Sequence, residues 1–306
     1  MTSVPLARRA LLDAVAVTVL LASIGLGGLD TQTTSARSVH ASPRPTVVLV
    51  HGSWYQPSSW TAVAARLRDH GYRVIVPDNP LRTLAGDAAS IAGVLRRVKG
   101  PIVLGGHSYG GAVITNAAQG NPNVKALVYV AAFAPDRGES AIGLDSRDPG
   151  SLVPLSTIAV PFVQSDGNIG LDLYINPLLY RSVLAHDVPA RMAAALAAGQ
   201  RPVTLAAGME PSSTPAWRTI PSWYMVTRND RSLPPATQRF MAERAGATTV
   251  EIDSSHSVSV SHPDAVTNLI LAAARTAGRR SGPLRAAGLV LLDPPSGDAP
   301  QGLANE

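Results

Sequence analysis

Short runs of apolar residues recur along the chain and alternate with segments whose apolar residues have helical spacing. Many of these runs are rich in β-branched residues, which is typical of strands buried inside a sheet. The six clearest runs are TVVLV (46–50), RVIVPDNP (73–80), PIVLG (101–105), VKALVYVAAF (124–133), SWYMVT (222–227) and ATTVEI (247–252). Because strands that alternate with helices form parallel sheets covered by helices, the pattern predicts an α/β fold.

The alternation lapses over residues 136–220, where Pro, Gly, Ser and Asp are frequent and one clear helix, VPARMAAALAAGQ (188–200), is predicted. We interpret this stretch as a lid inserted between two strands of one sheet, within a single domain over residues 42–278. Residues 279–306 lack a sustained period and are expected to form a loosely ordered tail. The lid offers several large apolar residues as pocket walls: Phe162, Tyr174, Leu178, Leu179, Tyr180, Met192 and Trp217.

Composition narrows the function classes. Hydrophobic residues make up 45% of the 306 residues and charged residues 15%, as in an ordinary globular protein. The formal charge is +5, but there is no run of five or more Lys and Arg, so a nucleic-acid partner is not expected. The absence of cysteine excludes disulfides, thiolate metal sites and a cysteine nucleophile. No zinc-type spacing is present, so no metal is expected.

The N-terminal segment has the order of an export signal. Arg8 and Arg9 precede the apolar stretch ALLDAVAVTVLLASIGLGGL (10–29), and a polar segment with small residues follows. We therefore expect residues 1–41 to direct export, which would make the protein secreted or bound to the cell envelope. The alternative is an uncleaved anchor, since about 20 apolar residues can span a bilayer; any membrane contact would then be through this segment.

The strongest chemical motif lies after the third apolar run. Gly106-His107-Ser108-Tyr109-Gly110 matches G-x-S-x-G between a predicted strand and a predicted helix. On such a turn a serine oxygen projects above the sheet, and the N-terminus of the following helix points at it. The pattern predicts Ser108 as a catalytic nucleophile.

With this motif the chain resembles the α/β-hydrolase superfamily over about residues 46–275. The resemblance rests on VLVHGSWYQPSSW (48–60), GGHSYGG (105–111), the Asn-Asp pair before RSLPP, and SSHSVSVSHPDAV (254–266). Within the superfamily it is similar to the compact branch with plant methyl-ester esterases, hydroxynitrile lyases and bacterial esterases. The resemblance implies an α/β-hydrolase fold, and an oxyanion hole formed by the backbone N–H groups of Ser53 and Tyr109.

The triad also needs an acid that orients the histidine. Asp230 follows the strand after the lid, the usual acid position in the superfamily. Asp136, just after the strand that precedes the lid, is the competitor, because some members carry the acid there. Asp253 is close in sequence to the predicted base and is expected to be too near to reach the correct side of the ring.

Two histidines compete for the role of base. His256 lies four residues past the run ATTVEI, on a loop that can reach over the sheet edge. His262 directly precedes Pro263, which suits the first position of a helix. We predict His256 as the base, keep His262 as the reserve, and expect His262 to fix the start of the helix.

Together these residues predict a cofactor-independent serine hydrolase, most simply a carboxylesterase that cleaves small hydrophobic esters through an acyl-enzyme. Two alternatives remain. A hydroxynitrile lyase uses the same triad, but that type carries a lysine beside the histidine, where this chain has Ser257. A non-catalytic ligand-binding protein of the same fold is the other. The oligomeric state is not predicted.

Overall fold

The computed structural model describes residues 44–277 of the 306-residue chain. The predicted export signal over residues 1–41 and the predicted tail over residues 279–306 lie outside the described residues. Within the described part, every helix is too short or too polar to cross a bilayer.

Nine strands and eleven α-helices are found between residues 44 and 277. The strands are β1 (Thr46–Val50), β2 (Val74–Ile75), β3 (Ile102–His107), β4 (Val124–Val130), β5 (Thr157–Val163), β6 (Ile169–Ile175), β7 (Val203–Thr204), β8 (Ser222–Thr227) and β9 (Thr248–Ile252). The helices are α1 (Thr61–Asp69), α2 (Leu84–Arg96), α3 (Tyr109–Ala117), α4 (Ala141–Asp145), α5 (Val153–Ser156), α6 (Pro177–Leu184), α7 (Ala190–Ala198), α8 (Leu205–Met209), α9 (Pro235–Arg244), α10 (Val258–Ser261) and α11 (Pro263–Ala277).

The main sheet has six strands in the order β2-β1-β3-β4-β8-β9, and every pairing in it is parallel. Alternate residues of β1 belong to two different clusters of buried side chains: Val48 and Val50 to one, Val47 and Leu49 to the other. Successive side chains of a strand point to opposite faces, so the sheet is buried on both sides. The predicted α/β-hydrolase fold is confirmed.

One strand is much shorter than predicted. The run at 73–80 forms only the two residues Val74–Ile75, at the edge of the sheet. Pro77 and Pro80 follow, and because proline has no N–H to donate, the pairing with β1 cannot continue past them.

The segment between β4 and β8 is the region interpreted as a lid, and it has more regular structure than the single helix predicted. It contains α4 to α8 and a separate three-stranded antiparallel sheet, β5-β6-β7. The extra helices have four to eight residues, too few for a helical period to stand out in the sequence. Strand β5 is largely exposed and includes Pro161, so it lacks the pattern of a buried strand.

Candidate active site

The turn between β3 and α3 holds Ser108 in a conformation that few residues other than glycine adopt. Its backbone has φ 53° and ψ −127°, which costs energy and is maintained only by the surrounding structure. A Cβ on Gly106 would lie 2.5 Å from the carbonyl oxygen of Gly110, and a Cβ on Gly110 would lie 2.5 Å from that of Val50. Glycine is therefore required at both positions for the turn to close, which explains the G-x-S-x-G spacing physically.

The loop after β1 passes directly against the serine. A Cβ on Gly52 would lie 2.5 Å from the Cβ of Ser108. The next residue, Ser53, and Tyr109 at the first position of α3 line the same cavity as Ser108. Among the described residues, neither backbone N–H of Ser53 nor that of Tyr109 donates a hydrogen bond. Both donors are thus available to a ligand atom beside the serine.

His51 holds this loop in place. Its Nε2 accepts a hydrogen bond from the backbone N–H of Asn79 (3.2 Å), and its Nδ1 donates to the carbonyl oxygen of Gly52 (3.0 Å). Burial lowers the pKa of His51 to about 4, so the ring is neutral at physiological pH and has both nitrogens engaged.

The same loop is tied to the lid through Trp54. The Trp54 indole N–H donates to the carbonyl oxygen of Leu173 in β6 (2.9 Å), and its backbone N–H donates to that of Arg201 (3.0 Å). The Tyr180 hydroxyl donates to the Trp54 carbonyl oxygen (3.1 Å). The loop that carries Ser53 is therefore fixed from above as well as from the sheet.

The structure brings His256 and Asp230 together. Nδ1 of His256 lies 2.7 Å from Oδ2 of Asp230, and both side chains are buried. The other ring nitrogen, Nε2, is buried and has no hydrogen-bond partner among the described residues. Since the carboxylate accepts from Nδ1–H, Nε2 is the nitrogen that can take a proton.

Besides His256, four other groups donate hydrogen bonds to Asp230. Oδ1 accepts the backbone N–H groups of Ser232 (2.8 Å) and Leu233 (3.0 Å), and Oδ2 also accepts from the Thr227 hydroxyl (2.8 Å) and Gln238 Nε2 (2.9 Å). Burial alone would raise the pKa of Asp230, but His256 and the backbone N–H groups of Leu233 and Ser232 outweigh it and hold the pKa below its ordinary value. The carboxylate therefore stays ionised.

Gln238 and Thr227 were not predicted from the sequence. Gln238 lies in the middle of α9, fully buried, and its Nε2 also donates to the carbonyl oxygen of Leu233 (2.8 Å). No local motif marks a helical glutamine as a partner of a carboxylate. Its role depends on how α9 packs against β8.

Hydrogen bonds from two regions hold the loop that carries His256. The carbonyl oxygen of His256 accepts a hydrogen bond from Nε2 of His107 (2.8 Å), the residue before Ser108. Burial and the neighbouring His256 lower the pKa of His107 to about 3, so this ring is neutral. On the side of the lid, Asp187 Oδ2 accepts from the backbone N–H of Ser255 and from the Ser254 hydroxyl, both at 2.9 Å. The lid thus contributes directly to the position of the histidine.

The competing acids and the reserve histidine lie elsewhere. Asp136 pairs with Arg218 (2.6 Å), and Asp253 is exposed and pairs with Arg228 (2.7 Å). His262 directly precedes α11, and its Nδ1 is near the Ser261 hydroxyl (2.9 Å). None of the three contacts His256. Between residues 44 and 277, no three His, Asp or Glu side chains are grouped closely enough to hold a metal ion.

A cavity of about 250 Å³ lies beside Ser108. Its floor includes Ser53, Ser108 and Tyr109, and most of the remaining wall is apolar and comes from the lid. The lid residues in the wall are Ala141, Ile142, Asp145, Ser146, Val153, Pro154, Thr157, Leu173, Val203 and Gly208. None of the large lid residues proposed from the sequence is among them, because helices α4, α5 and α8, which supply six of these ten lid residues, were not predicted. Trp54, in the loop after β1, was also considered as a pocket wall from the sequence, and it does line the cavity.

The chain matches a family model and several known proteins. Residues 47–269 match the alpha/beta hydrolase family, and we conclude that the chain belongs to that family. The chain is 36% identical over 110 residues to the carbendazim hydrolyzing esterase of Nocardioides sp. (strain SG-4G), a match over 32% of this chain and 46% of that protein. This chain therefore spans less than half the length of that curated relative.

Two other matches extend over nearly the whole length of the matched protein. The alpha/beta hydrolase nvfD of Aspergillus novofumigatus (strain IBT 16806) is 26% identical over 254 residues, 76% of this chain and 97% of that protein. The crystal structure of polyneuridine aldehyde esterase superposes with a TM-score of 0.66 at 22% identity, covering 75% of this chain and 99% of that one. The latter likeness shows the fold alone.

Proposed function

We propose that the protein is a serine carboxylesterase that cleaves small, hydrophobic esters with the triad Ser108, His256 and Asp230. The observation that carries the proposal is Ser108, strained at the start of α3 and open to a mostly apolar cavity beside two unused backbone N–H donors. The buried His256–Asp230 pair supports it.

Each residue has a definite task in this mechanism. Asp230 accepts the Nδ1 proton and thereby leaves Nε2 of His256 free to remove the proton of Ser108. The serine oxygen attacks the ester carbonyl, and the N–H groups of Ser53 and Tyr109 hold the oxyanion, at about 2.7–4 kcal/mol for each donor. His256 then protonates the leaving alcohol, and water cleaves the acyl-enzyme in a second, similar step.

The cavity and the relatives support the proposed substrate class. A volume of about 250 Å³ with a largely apolar wall suits a small hydrophobic ester better than a sugar or a highly charged acid. The names of two matched proteins, an esterase that hydrolyses carbendazim and polyneuridine aldehyde esterase, are consistent with ester cleavage.

The environment of Ser257 argues against the lyase alternative. This residue occupies the position where the lyase type carries a lysine, and its hydroxyl is bonded to the Tyr55 hydroxyl (2.7 Å) in a buried site. The cavity wall, as far as the described residues form it, contains no lysine or arginine that could receive a cyanide anion.

Covalent labelling tests the enzyme against a non-catalytic binding protein. A fluorophosphonate should modify wild-type protein at Ser108 and should not modify Ser108→Ala. His256→Ala should label at least about 1000-fold more slowly, whereas His262→Ala should label at the wild-type rate. Absence of labelling in folded wild-type protein would exclude the serine mechanism. A panel of p-nitrophenyl esters of increasing acyl length then defines the substrate range.

We also propose that the protein is exported by the segment at residues 1–41, because its basic, apolar and polar parts have the order of a signal. Cell fractionation with N-terminal sequencing tests this. Export predicts accumulation outside the cytoplasm, with the segment removed or serving as an anchor.

A further inference from the structure

One carboxyl group lines the cavity and is not used by the proposed mechanism. Asp145, the last residue of α4, belongs to the wall that also contains Ser108. Most of the other lid residues in that wall are apolar. Burying a carboxyl group in a largely apolar wall costs free energy unless hydrogen bonds or an opposite charge compensate it. The groups around Asp145 therefore indicate which kind of ligand atom it can bind.

Asp145 has no cationic partner. Four of the eight carboxylates of the lid form an ion pair with an arginine, but no Lys, Arg or His of the described residues lies within 4 Å of Asp145. The paired lid carboxylates are Asp136, Glu139, Asp148 and Asp172. Its charge is therefore not neutralised by the protein.

Only one of its two oxygens is engaged. The Ser151 hydroxyl lies 2.8 Å from Oδ2 of Asp145 and also 2.8 Å from the carbonyl oxygen of Ser232. No hydrogen bond to Oδ1 is found among the described residues. Oδ1 is therefore an acceptor without a partner, on a residue that lines the cavity.

The pKa of Asp145 is also affected by the charges of Asp230 and His256. Burial raises the pKa of Asp145 to about 6, Asp230 contributes in the same direction, and the Ser151 hydroxyl and His256 act against the rise. The Ser151 geometry is consistent with a shared proton, since one hydroxyl hydrogen cannot serve two acceptors at once. Whether neutral or ionised, Asp145 keeps Oδ1 as an acceptor.

We propose that Asp145 is a specificity-determining residue, whose Oδ1 accepts a hydrogen bond from an N–H group of the substrate. The preferred substrates are then esters whose small apolar body carries one amine or amide nitrogen. This inference rests on the proposed esterase function and specifies its substrate class. An N–H donor is favoured because Oδ1 is an acceptor without a hydrogen-bond partner among the described residues, and an ammonium or amide N–H group can donate to it.

Matched pairs of esters test the inference. The ammonium pair is 2-(dimethylamino)ethyl butanoate, protonated at neutral pH, and 3-methylbutyl butanoate, which has C–H in place of N–H. The amide pair is 2-acetamidoethyl butanoate and 4-oxopentyl butanoate, which has CH₂ in place of NH. Release of butanoic acid is followed by titration, and kcat/KM is compared within each pair for wild type, Asp145→Ala and Asp145→Asn.

For wild type we expect kcat/KM to favour the N–H ester by about tenfold in at least one pair, the effect of one charge-assisted hydrogen bond. The pair that responds distinguishes an ammonium from an amide donor. In Asp145→Ala the ratio should fall to about one, because the N–H ester loses more of its rate than its isostere does. Asp145→Asn, which keeps the side-chain shape, should lose most of the preference for the ammonium ester. Asp166→Ala, at the exposed turn between β5 and β6, is the control and should keep the wild-type ratios.

The failures of the two proposals can be told apart. Equal rates within both pairs, or a preference that survives in Asp145→Ala, would overturn the inference and leave the esterase function intact. The same holds if Asp145→Asn loses all four activities equally, because that result assigns Asp145 a structural role. Hydrolysis of none of the four esters by wild type, together with no fluorophosphonate labelling, would overturn the proposed function and this inference with it.

Discussion

Asp230, in the loop after β8 of the main sheet, and Asp145, in the lid, are carboxyl groups with opposite surroundings. At the sheet edge, Asp230 accepts five hydrogen bonds, and its pKa is held below the ordinary value despite complete burial. In the lid, Asp145 has one side-chain partner, the Ser151 hydroxyl, and burial raises its pKa to about 6.

The difference separates two kinds of task. In the proposed mechanism Asp230 must stay ionised and in one orientation for every substrate, and both of its oxygens are occupied by groups of β8, α9 and the loops that follow β8 and β9. Asp145 keeps one oxygen unused, which is of no benefit to the stability of the fold. Groups that are left unsatisfied in a cavity are suited to recognise a ligand, and the lid is the region whose sequence can vary without disturbing the sheet.

The largest expected effect is that of replacing Asp230, in the loop after β8. Asp230→Asn should lower kcat by about 1000- to 10,000-fold, because the amide cannot stabilise the imidazolium form and disfavours the tautomer with a proton on Nδ1. Esterase assays at saturating substrate measure the loss, and circular dichroism checks the fold. Asp136→Asn is the matched control and should be nearly as active as wild type. The reverse result would transfer the acid role to Asp136.

A smaller effect is expected from replacing Gln238, which donates a hydrogen bond to Asp230. Gln238→Leu removes the Nε2 donor from Oδ2 of Asp230 and should lower kcat about tenfold with little change in KM. Since a hydrogen bond to a carboxylate favours its ionised form, removing this donor should raise the pKa of Asp230, and the variant should lose activity at a higher pH than wild type as the solution is acidified.

A change in folding alone would not produce that shift, so the pH profile separates a positioning role from a structural one. Gln119→Leu replaces an exposed glutamine away from the site and should leave the profile unchanged. An unshifted acid limb in folded Gln238→Leu would contradict the positioning role.

The main sheet could be predicted because its information is local. Runs such as 46–50 and 101–105 are long enough to show a buried strand, and the glycines around Ser108 are required by backbone contacts that any closed turn of this kind must make. The fold class is confirmed, and the structure brings His256 next to Asp230, the pair chosen from strand order. Their catalytic roles remain predictions.

The lid and the partners of Asp230 could not be predicted, for two physical reasons. The helices α4, α5 and α8 are too short for periodicity, so the residues that line the cavity, Asp145 among them, could not be separated from loop residues. No local pattern marks Gln238, whose role depends on the packing of α9 on β8, or Asp187, whose role depends on the contact of its loop with Ser255. These contacts join residues far apart in sequence.

The smallest expected effect is a change in the free energy of unfolding when Asp145 is replaced by a residue that cannot ionise. Its pKa is raised from 3.8 to about 6 by folding, so the folded protein holds this proton more tightly than the unfolded chain does. The resulting stabilisation is fully present below the unfolded pKa and is lost as the pH rises through about 6. Asn cannot ionise and keeps a similar shape. Asp145→Asn should therefore increase the free energy of unfolding near pH 8 by about 1–2 kcal/mol, a value reduced for partial exposure to solvent.

Urea unfolding at two pH values measures this gain, because other groups titrate alike in both proteins and cancel in the difference. Near pH 8 the variant should be the more stable protein, and near pH 4 the two should converge, since Asp145 is then protonated in the folded state. The same substitution in the exposed β5–β6 turn, Asp166→Asn, should give no gain, because hydrogen bonds from Asn168 lower the pKa of Asp166. A gain of equal size at both pH values would mean that ionisation is not its source. Loss of the N–H preference together with this gain would identify Asp145 as a residue kept for the substrate at the expense of stability.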